Sequence, residues 1–192
     1  MSKSKINEKG FTLVELLMVS IVIGILLAIA IPKIVVARIS ANEANIRKAL
    51  QTIRDSEYLY SEQDLDDDGS RDYTNQLGTL GTAGTLRDPA GTNDESNALV
   101  DNTFEKAVVN DGSPADAATC IDSKAGYCIG WSADAGSVQV DFGWEGSMTS
   151  VRKTGRKDFT VYGEGVIKCT LSQGIIGSFG SFEADRESPA CE

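Results

Sequence analysis

Oxygen-bearing side chains recur at alternate positions in the stretch DLDDDGSRD. In order they are Asp64, Asp66, Asp68, Ser70 and Asp72, with Gly69 placed where a loop must turn tightly. Hard cations such as Ca²⁺ take several oxygen ligands from a loop of this spacing. Asn75 stands where such a loop usually has a bidentate glutamate, which lowers the expected affinity. The spacing therefore predicts either a calcium site, calcium being the only cofactor that the sequence suggests, or a solvated acidic turn.

The four cysteines are a second candidate group, and all lie in the C-terminal half of the chain. An even number of cysteines on the exported side of a membrane is typical of disulfides. Three connectivities are open to four cysteines. Their order favours Cys120 with Cys128 as a short local loop and Cys169 with Cys191 as a tie on the C-terminal segment. Free or metal-binding cysteines are the alternative, which the lack of histidine and of a Cys-x-x-Cys pair disfavours.

No histidine occurs among the 192 residues. Ser-His-Asp triads and Cys-His pairs need an imidazole, so enzymes of these classes are excluded. A pair of carboxylates could still hydrolyse a glycoside, but nothing in the sequence singles out two of them. We therefore expect no catalytic residue and a protein that is not an enzyme.

Glu15 is the only ionisable residue between Phe11 and Pro32, in an otherwise mostly apolar stretch. A carboxylate is costly at the centre of a bilayer and less so near its surface. The first turn of a helix favours negative charge because of the helix dipole. Glu15 is therefore expected either to cap its own helix or to be neutralised by a partner.

Residues 11–37 form an apolar segment long enough to cross a membrane as a helix, at ~1.5 Å per residue. Lys3, Lys5 and Lys9 precede it and place the extreme N-terminus in the cytoplasm by the positive-inside rule. The segment does not end in an Ala-x-Ala-like cleavage site. We therefore expect it to be retained as a working helix, with the following residues outside the membrane.

The helical period continues after Pro32 as an amphipathic pattern over residues 38–61. Its apolar face contains Ile39, Ile46, Leu50, Ile53 and Tyr60. Its charged residues are assigned to the other faces: Arg47, Lys48, Arg54, Asp55 and Glu57. We expect one continuous bent helix from about Phe11 to Tyr60, with a kink or local unwinding at Pro32 and a weaker position at Gly24.

Residues 62–192 are predicted to form a globular head. After a Gly- and Thr-rich stretch of loop composition, alternating residues predict strands at Val138, Val140 and Phe142, at Phe159 and Val161, and in GVIKCTL. GYCIGW fits either a strand or a helix, and ALVDNTFEKAVV is assigned to helix. The predicted fold class is α+β, with the long N-terminal helix packed on an antiparallel sheet.

The stretch KGFTLVELLMVSIVIGILLAIAIP resembles the N-terminus of type IV pilins and of the pseudopilins of type II secretion. In that family a basic leader ending in glycine precedes Phe-Thr-Leu-Val-Glu-Leu. The resemblance implies that residues 1–10 are a leader peptide, which a prepilin peptidase cuts between Gly10 and Phe11, and that the new amino group of Phe11 is N-methylated. The missing side chain of Gly10 gives the peptidase access to the backbone.

The resemblance also implies that residues 11–37 are an assembly segment that includes Glu15 and Pro32. Glu15 becomes the fifth residue of the mature chain. Its carboxylate meets the positive amine of Phe11 on a neighbouring subunit when that subunit moves from the bilayer into a filament. The pilin-like fold expected from the family agrees with the α+β class predicted from the residue patterns.

The implied function is that of a structural subunit of an extracellular type IV pilus. Its expected partners are other copies of the chain, the prepilin peptidase, the pilus assembly platform and the membrane. We expect a pool in the inner membrane and then a place in a pilus at the cell surface. A pseudopilin in a periplasmic piston of type II secretion is the alternative, disfavoured because disulfide-stapled heads are more typical of pilins. A membrane-anchored binding module is a third hypothesis.

Charge bears on possible partners. Removing residues 1–10 takes away three lysines and one glutamate, so the formal charge changes from −10 to −12. A surface with this negative charge repels nucleic acid, so we expect the chain to bind no nucleic acid specifically. One basic stretch, VRKTGRKDF, is either a solvated β-turn or a docking patch for DNA or for the acidic loop of an adjacent subunit, which fits best. Its cations surround Gly155: Arg152, Lys153, Arg156 and Lys157.

Overall fold

The computed structural model describes residues 10–64, 69–81, 98–114, 120 and 122–191, without the side chains of residues 105 and 110–114. Its helices are α1 (Leu13–Gln63), α2 (Leu77–Leu80) and α3 (Asn102–Ala107), with a 3-10 turn at Ala133–Ala135. Its strands are β1 (Val108–Pro114), β2 (Tyr127–Trp131), β3 (Gly143–Met148), β4 (Lys157–Tyr162) and β5 (Ile167–Leu171). The chain divides into two compact units, Met1–Ala37 and Arg38–Glu192.

Helix α1 confirms the predicted long N-terminal helix. It spans 51 residues, and its last residue, Gln63, lies just beyond the predicted end at Tyr60. The local unwinding expected at Pro32 is not found, since the helix continues without interruption through Gly24 and Pro32. A proline removes one backbone hydrogen bond, and the helical turns on both sides hold the segment in register.

The first unit contains the apolar part of α1. It is the one helix in the described ranges that is long and apolar enough to cross a membrane, with a mean hydropathy of 2.8 over 18 residues. None of that stretch is buried. Large apolar side chains are exposed on every side of the helix from Phe11 to Val36.

The second unit contains a sheet of five strands in the order β1-β2-β3-β4-β5. Strands β2 to β5 are antiparallel neighbours, while β1 runs parallel to β2. The α+β class is therefore confirmed, as are the strands predicted at Phe159 and in GVIKCTL. GYCIGW is a strand, and the stretch assigned wholly to helix divides into α3 and the start of β1.

The strand predicted at Val138–Phe142 is wrong. Residues 138–140 form a turn in which the amides of Val140 and Asp141 both donate to the carbonyl of Ser137, at 3.0 and 3.1 Å. Val140 is 78% exposed. The strand begins at Gly143 instead, because the two bonds to Ser137 bend the backbone away from an extended conformation before that point.

The core lies between the second part of α1 and one face of the sheet. All five apolar residues predicted for the buried helix face are buried, from Ile39 to Tyr60. They pack with sheet residues such as Trp144 and Phe159. Gly146 permits this close approach, since a Cβ there would lie 2.7 Å from the Ile46 side chain.

The C-terminal segment after β5 covers the opposite face of the sheet. The Gly180 amide donates to the Met148 carbonyl at 2.8 Å, and the Phe182 amide donates to Ser147 Oγ at 3.3 Å. Farther along, the Arg186 guanidinium lies 4.2 Å from the centre of the Tyr162 ring. The sheet is therefore enclosed on both faces, by α1 on one and by the C-terminal segment on the other.

Candidate functional site

Thr12 and Glu15 form a reciprocal cap on the first turn of α1. The Glu15 amide donates to Thr12 Oγ1 at 3.2 Å, and the Thr12 amide donates to Glu15 Oε2 at 2.9 Å. Thr12 Oγ1 also donates to Oε2, at 2.7 Å. This is a capping box, which satisfies amide groups that the first helical turn leaves without partners. The spacing Thr-x-x-Glu in the sequence could have predicted it.

The cap uses only one of the two oxygens of Glu15. Both bonds from Thr12 end on Oε2, and Oε1 has no hydrogen-bond partner within the ranges that the structure covers. The side chain is also exposed. Capping therefore leaves Glu15 with one oxygen, and its negative charge, available to a second group.

The junction of Gly10 and Phe11 is accessible. Phe11 is 83% exposed, and a side chain added at Gly10 would meet no atom within 4 Å. Farther along, Ser20 Oγ donates to the Leu16 carbonyl at 2.8 Å, so this hydroxyl is satisfied within its own helix. Pro32 lies within the same exposed apolar stretch. Gly10 and Phe11 are therefore sterically accessible, and the helix beyond them presents apolar side chains.

Two disulfides are present in the head. Cys120 is bonded to Cys128, and Cys169 to Cys191, the connectivity that the sequence order favours, and no described cysteine is free. The second bond joins β5 to the end of the C-terminal segment, across a separation of 22 residues. It fixes that segment over the sheet.

The acidic loop is only partly described, because Asp66 and Asp68 lie outside the described residues. Its two ends approach each other, since the Gly69 amide donates to Asp64 Oδ2 at 3.1 Å. Gly69 has φ +82°, and Asp64 also has a positive φ of 48°. Asp64 Oδ1 is enclosed and has no hydrogen-bond partner among the residues that the structure describes. Among the described residues alone, no group of three or more acidic or cysteine side chains could hold a metal ion.

The basic stretch forms the turn between β3 and β4 and extends into the start of β4. A turn was the structure expected under the hypothesis of a solvated β-turn. Arg152 has φ +59°, and its amide donates to the Gly155 carbonyl at 2.7 Å. Gly155 cannot be replaced by a larger residue without movement, because an added Cβ would lie 1.9 Å from the Tyr127 hydroxyl. Helix α1 also contacts the turn, with Asn42 Nδ2 donating to the Thr154 carbonyl at 2.8 Å.

Glu57 is buried, which corrects its assignment to a solvent face of α1. Its side chain is 0% exposed. Trp144 Nε1 donates to Oε1 at 2.7 Å, and the Thr74 amide donates to Oε2 at 3.1 Å. Burial raises the pKa of Glu57 to about 8, although the two hydrogen bonds favour the charged form. The spacing held the signal, since Glu57 follows Ile53 by four residues and precedes Tyr60 by three.

Two further acidic residues are buried between the sheet and the C-terminal segment. Burial raises the pKa of Glu145 to about 8 and that of Asp158 to about 6. Ser147 Oγ donates to Asp158 Oδ1 at 2.6 Å, while Asp158 Oδ2 is enclosed without a partner among the described residues. The sequence did not identify this pair, because it depends on the register that places Glu145 opposite Thr160.

Comparisons with known proteins match the N-terminal part of the chain. Residues 5–31 match the family described as the prokaryotic N-terminal methylation motif. A type IV narrow pilus major component, PilA5 of Thermus thermophilus, is 46% identical over 48 residues, which are 25% of this chain and 41% of that protein. The chain thus spans about two fifths of that relative's length. No solved structure matches the chain. The motif and this similarity support a relation to the type IV pilins and pseudopilins, a family of structural subunits.

Proposed function

We propose that this chain, which carries the N-terminal methylation motif, is the structural subunit of a type IV pilus. A prepilin peptidase cuts it between Gly10 and Phe11, and the Phe11 amine is then methylated. The mature chain waits in the inner membrane, and a pilus assembly platform moves it into an extracellular filament of identical copies. The similarity to a narrow-pilus component supports this function.

The observation that carries the proposal is the apolar surface of α1 before Ala37. This stretch is apolar on every side and is left uncovered by the residues that the structure describes. Contiguous apolar surface of this size requires lipid or another protein chain. A membrane pool and a filament of packed helices supply these two environments in succession, whereas a plain membrane anchor uses only the first.

Glu15 distinguishes a filament subunit from a plain anchor. Its capping bonds use Oε2, and Oε1 can accept from the amine of Phe11 on a neighbouring copy. A carboxylate inside an apolar bundle is stable only when an opposite charge pairs with it. The ion pair therefore stabilises one axial position of a copy relative to its neighbour, and this position sets the register of the filament.

The test compares Glu15→Leu with Glu15→Gln in cells that express the full chain. Glutamine preserves the capping box, since either Glu or Gln serves at this position, but it removes the charge. If Glu15 pairs with an amine, both variants remain in the membrane fraction and neither gives filaments on sheared cell surfaces viewed by negative stain. Glu187→Gln is the control, because it removes an exposed carboxylate outside the assembly segment and should assemble.

Assembly of Glu15→Gln at the parent level would show that Glu15 only caps its helix. The N-terminus of surface protein is measured in the same preparation, and we expect a mature chain that begins at a methylated Phe11. Protein that retains Met1 or Ser2 in assembled material would overturn the proposal. Filaments confined to the periplasm would favour the pseudopilin alternative.

A further inference from the structure

The β3–β4 turn presents four cations, Arg152, Lys153, Arg156 and Lys157, which we call the basic surface. Arg152, Lys153 and Arg156 are exposed, and Lys157 is half-buried. The ion pairs formed among the described residues use other cations, namely Arg54, Lys124, Lys168 and Arg186. None of the four cations of the basic surface therefore forms an ion pair with another described residue.

The backbone that carries the basic surface is held in place before any partner binds. Thr154 is bonded to the carbonyl of Ser150 through its amide, at 2.9 Å, and through its hydroxyl, at 3.1 Å. The Arg156 amide donates to Glu43 Oε1 at 2.9 Å, which ties the turn to α1. Ordering a flexible loop costs free energy on binding, and this turn avoids much of that cost.

An exposed apolar loop adjoins the basic surface. The Val151 amide donates to the Ser178 carbonyl at 2.8 Å, and the Gly177 amide donates to the Val151 carbonyl at 2.9 Å. In this loop Ile175 is 81% exposed and Ile176 is 61% exposed. Arg152 and Arg156 also line a cavity of about 340 Å³ with Leu171 and Ser172. Charge and apolar area thus lie side by side, as at protein interfaces.

The chain carries a segment of complementary charge. Residues 62–72 contain six carboxylates and one arginine. Glu62 is exposed at the end of α1, whereas the basic surface is bonded to Asn42 and Glu43 near the start of the same unit. The 22 helical residues from Asn42 to Gln63 span roughly 30 Å. Glu62, at the start of the acidic segment, is therefore far from the basic surface of its own copy.

We propose that the basic surface of one copy binds the acidic segment 62–72 of the next copy in the filament, an inference that rests on the proposed function. The two surfaces differ, and Glu62 lies at the opposite end of the head helix from the basic surface. Contacts of this kind are heterologous, and they produce open chains of subunits rather than closed pairs. DNA is the less suitable partner, because the remaining surface of a mature chain of net charge −12 repels phosphate.

The test uses filaments assembled from equal amounts of ¹⁴N- and ¹⁵N-labelled full chains. A carbodiimide joins a lysine amine to a carboxylate in direct contact, and mixed-isotope peptides identify bonds between copies. We expect Lys153 and Lys157 to be joined to peptides from residues 62–72, predominantly between copies. Arg152→Glu with Arg156→Glu keeps both lysines as reporters and should lower the yield of these peptides about tenfold, which corresponds to about 1.4 kcal/mol.

A matched control and a charge exchange make the result specific. Lys48→Glu with Lys106→Glu gives the same change of net charge at two other exposed lysines, and it should leave the crosslinks unchanged. The arginine variant should also form fewer filaments. Adding Glu62→Lys and Asp67→Lys to it should restore filament yield, because two charges on each surface then have reversed signs and can pair again.

Each outcome decides between the two proposals. Filaments that lack these crosslinks, or that assemble equally from the arginine variant, overturn the inference and leave the pilus function standing. Filaments that instead bind duplex DNA through the basic surface overturn it in the same way. If the parent chain forms no filament at all, the pilus function and the inference fall together.

Discussion

The two parts of helix α1 differ in the exposure of their apolar side chains. Up to Ala37 they are exposed on all sides of the helix, while from Arg38 onward one face is buried against the sheet. A helix that is apolar all round needs lipid or other chains, whereas an amphipathic helix is completed by its own domain. One helix thus combines a segment that depends on its surroundings with a segment that carries its own core.

The acidic residues of α1 show the same contrast. Glu15 is exposed and keeps one oxygen outside its cap, whereas Glu57 is fully buried with both oxygens bonded. Glu15 is therefore available to a second molecule, and Glu57 joins α1 to Trp144 and Thr74 within the head. The same residue type is exposed to a second molecule in one region and serves internal packing in the other.

The largest effect that tests this contrast is expected for leucine truncation in the head. Leu50→Ala removes a fully buried side chain and should lower the free energy of unfolding by about 2.7–5 kcal/mol. Leu26→Ala, in the exposed part of α1, should change it by less than about 0.5 kcal/mol. Tryptophan fluorescence of the full chain in detergent, titrated with denaturant, measures both. Equal losses would contradict the division into two regions.

Calcium tests the end of the head helix, where the acidic loop follows Gln63. If Asp64, Asp66, Asp68, Ser70 and Asp72 hold the ion, binding relieves the repulsion of their carboxylates. Calcium at ten times its dissociation constant should then stabilise the head by about 1.4 kcal/mol, with less effect from magnesium. Thermal unfolding with calcium and with chelator measures the shift.

The control for the calcium effect is Glu187→Gln, an exposed acidic residue of the C-terminal segment, which should respond to the ion as the parent does. Asp66→Asn with Asp68→Asn should abolish the response. A melting temperature that chelator leaves unchanged would identify the loop as an acidic turn and would leave the pilus proposal intact.

Glu145→Gln is expected to have the smallest effect at a single pH. It should change the free energy of unfolding at pH 5 by less than about 1 kcal/mol. The pKa values of Glu57 and Glu145 are raised to about 8 by burial, so the folded state keeps protons that the unfolded chain loses above about pH 4.5. Their contribution to stability is fully present below about pH 4.5 and is lost as the pH rises through 8.

The change in slope with pH is the informative measurement. Unfolding of the full chain in detergent is followed from pH 5 to pH 8, where Glu145→Gln should reduce the loss of stability and Glu15→Gln should not alter it. If both substitutions changed the pH dependence of stability equally, the contrast between the buried carboxylate of Glu145 and the exposed carboxylate of Glu15 would be wrong.

Sequence periodicity predicted the helix and its buried face because these depend on neighbours three and four residues apart. The sites near the N-terminus came from a resemblance instead, since Gly10, Phe11 and Glu15 lie within one short motif that resembles the start of type IV pilins. Glu57 was misplaced because its charge was given more weight than its spacing from Ile53 and Tyr60. Its burial depends on Trp144 and Thr74, which lie far from it in the chain.

Long-range register could not be obtained in this way. The alternation at Val138–Phe142 is real, but two bonds to the Ser137 carbonyl turn the backbone there. The burial of Glu145 and Asp158 depends on the pairing of β3 with β4 and on the segment that covers them. The residue pattern along one strand does not show which strand pairs with it or which segment covers it.

The cover on β5 has a consequence for how copies can associate. The Cys169 amide donates to the Pro189 carbonyl and the Cys191 amide to the Ile167 carbonyl, both at 3.0 Å, and Lys168 pairs with Ala190. An uncovered outer strand is a template for amyloid-like stacking between molecules. Here the chain's own end occupies that template and the Cys169–Cys191 bond locks it there. Copies of the chain at high local concentration therefore cannot aggregate by strand pairing along the β5 edge of the sheet.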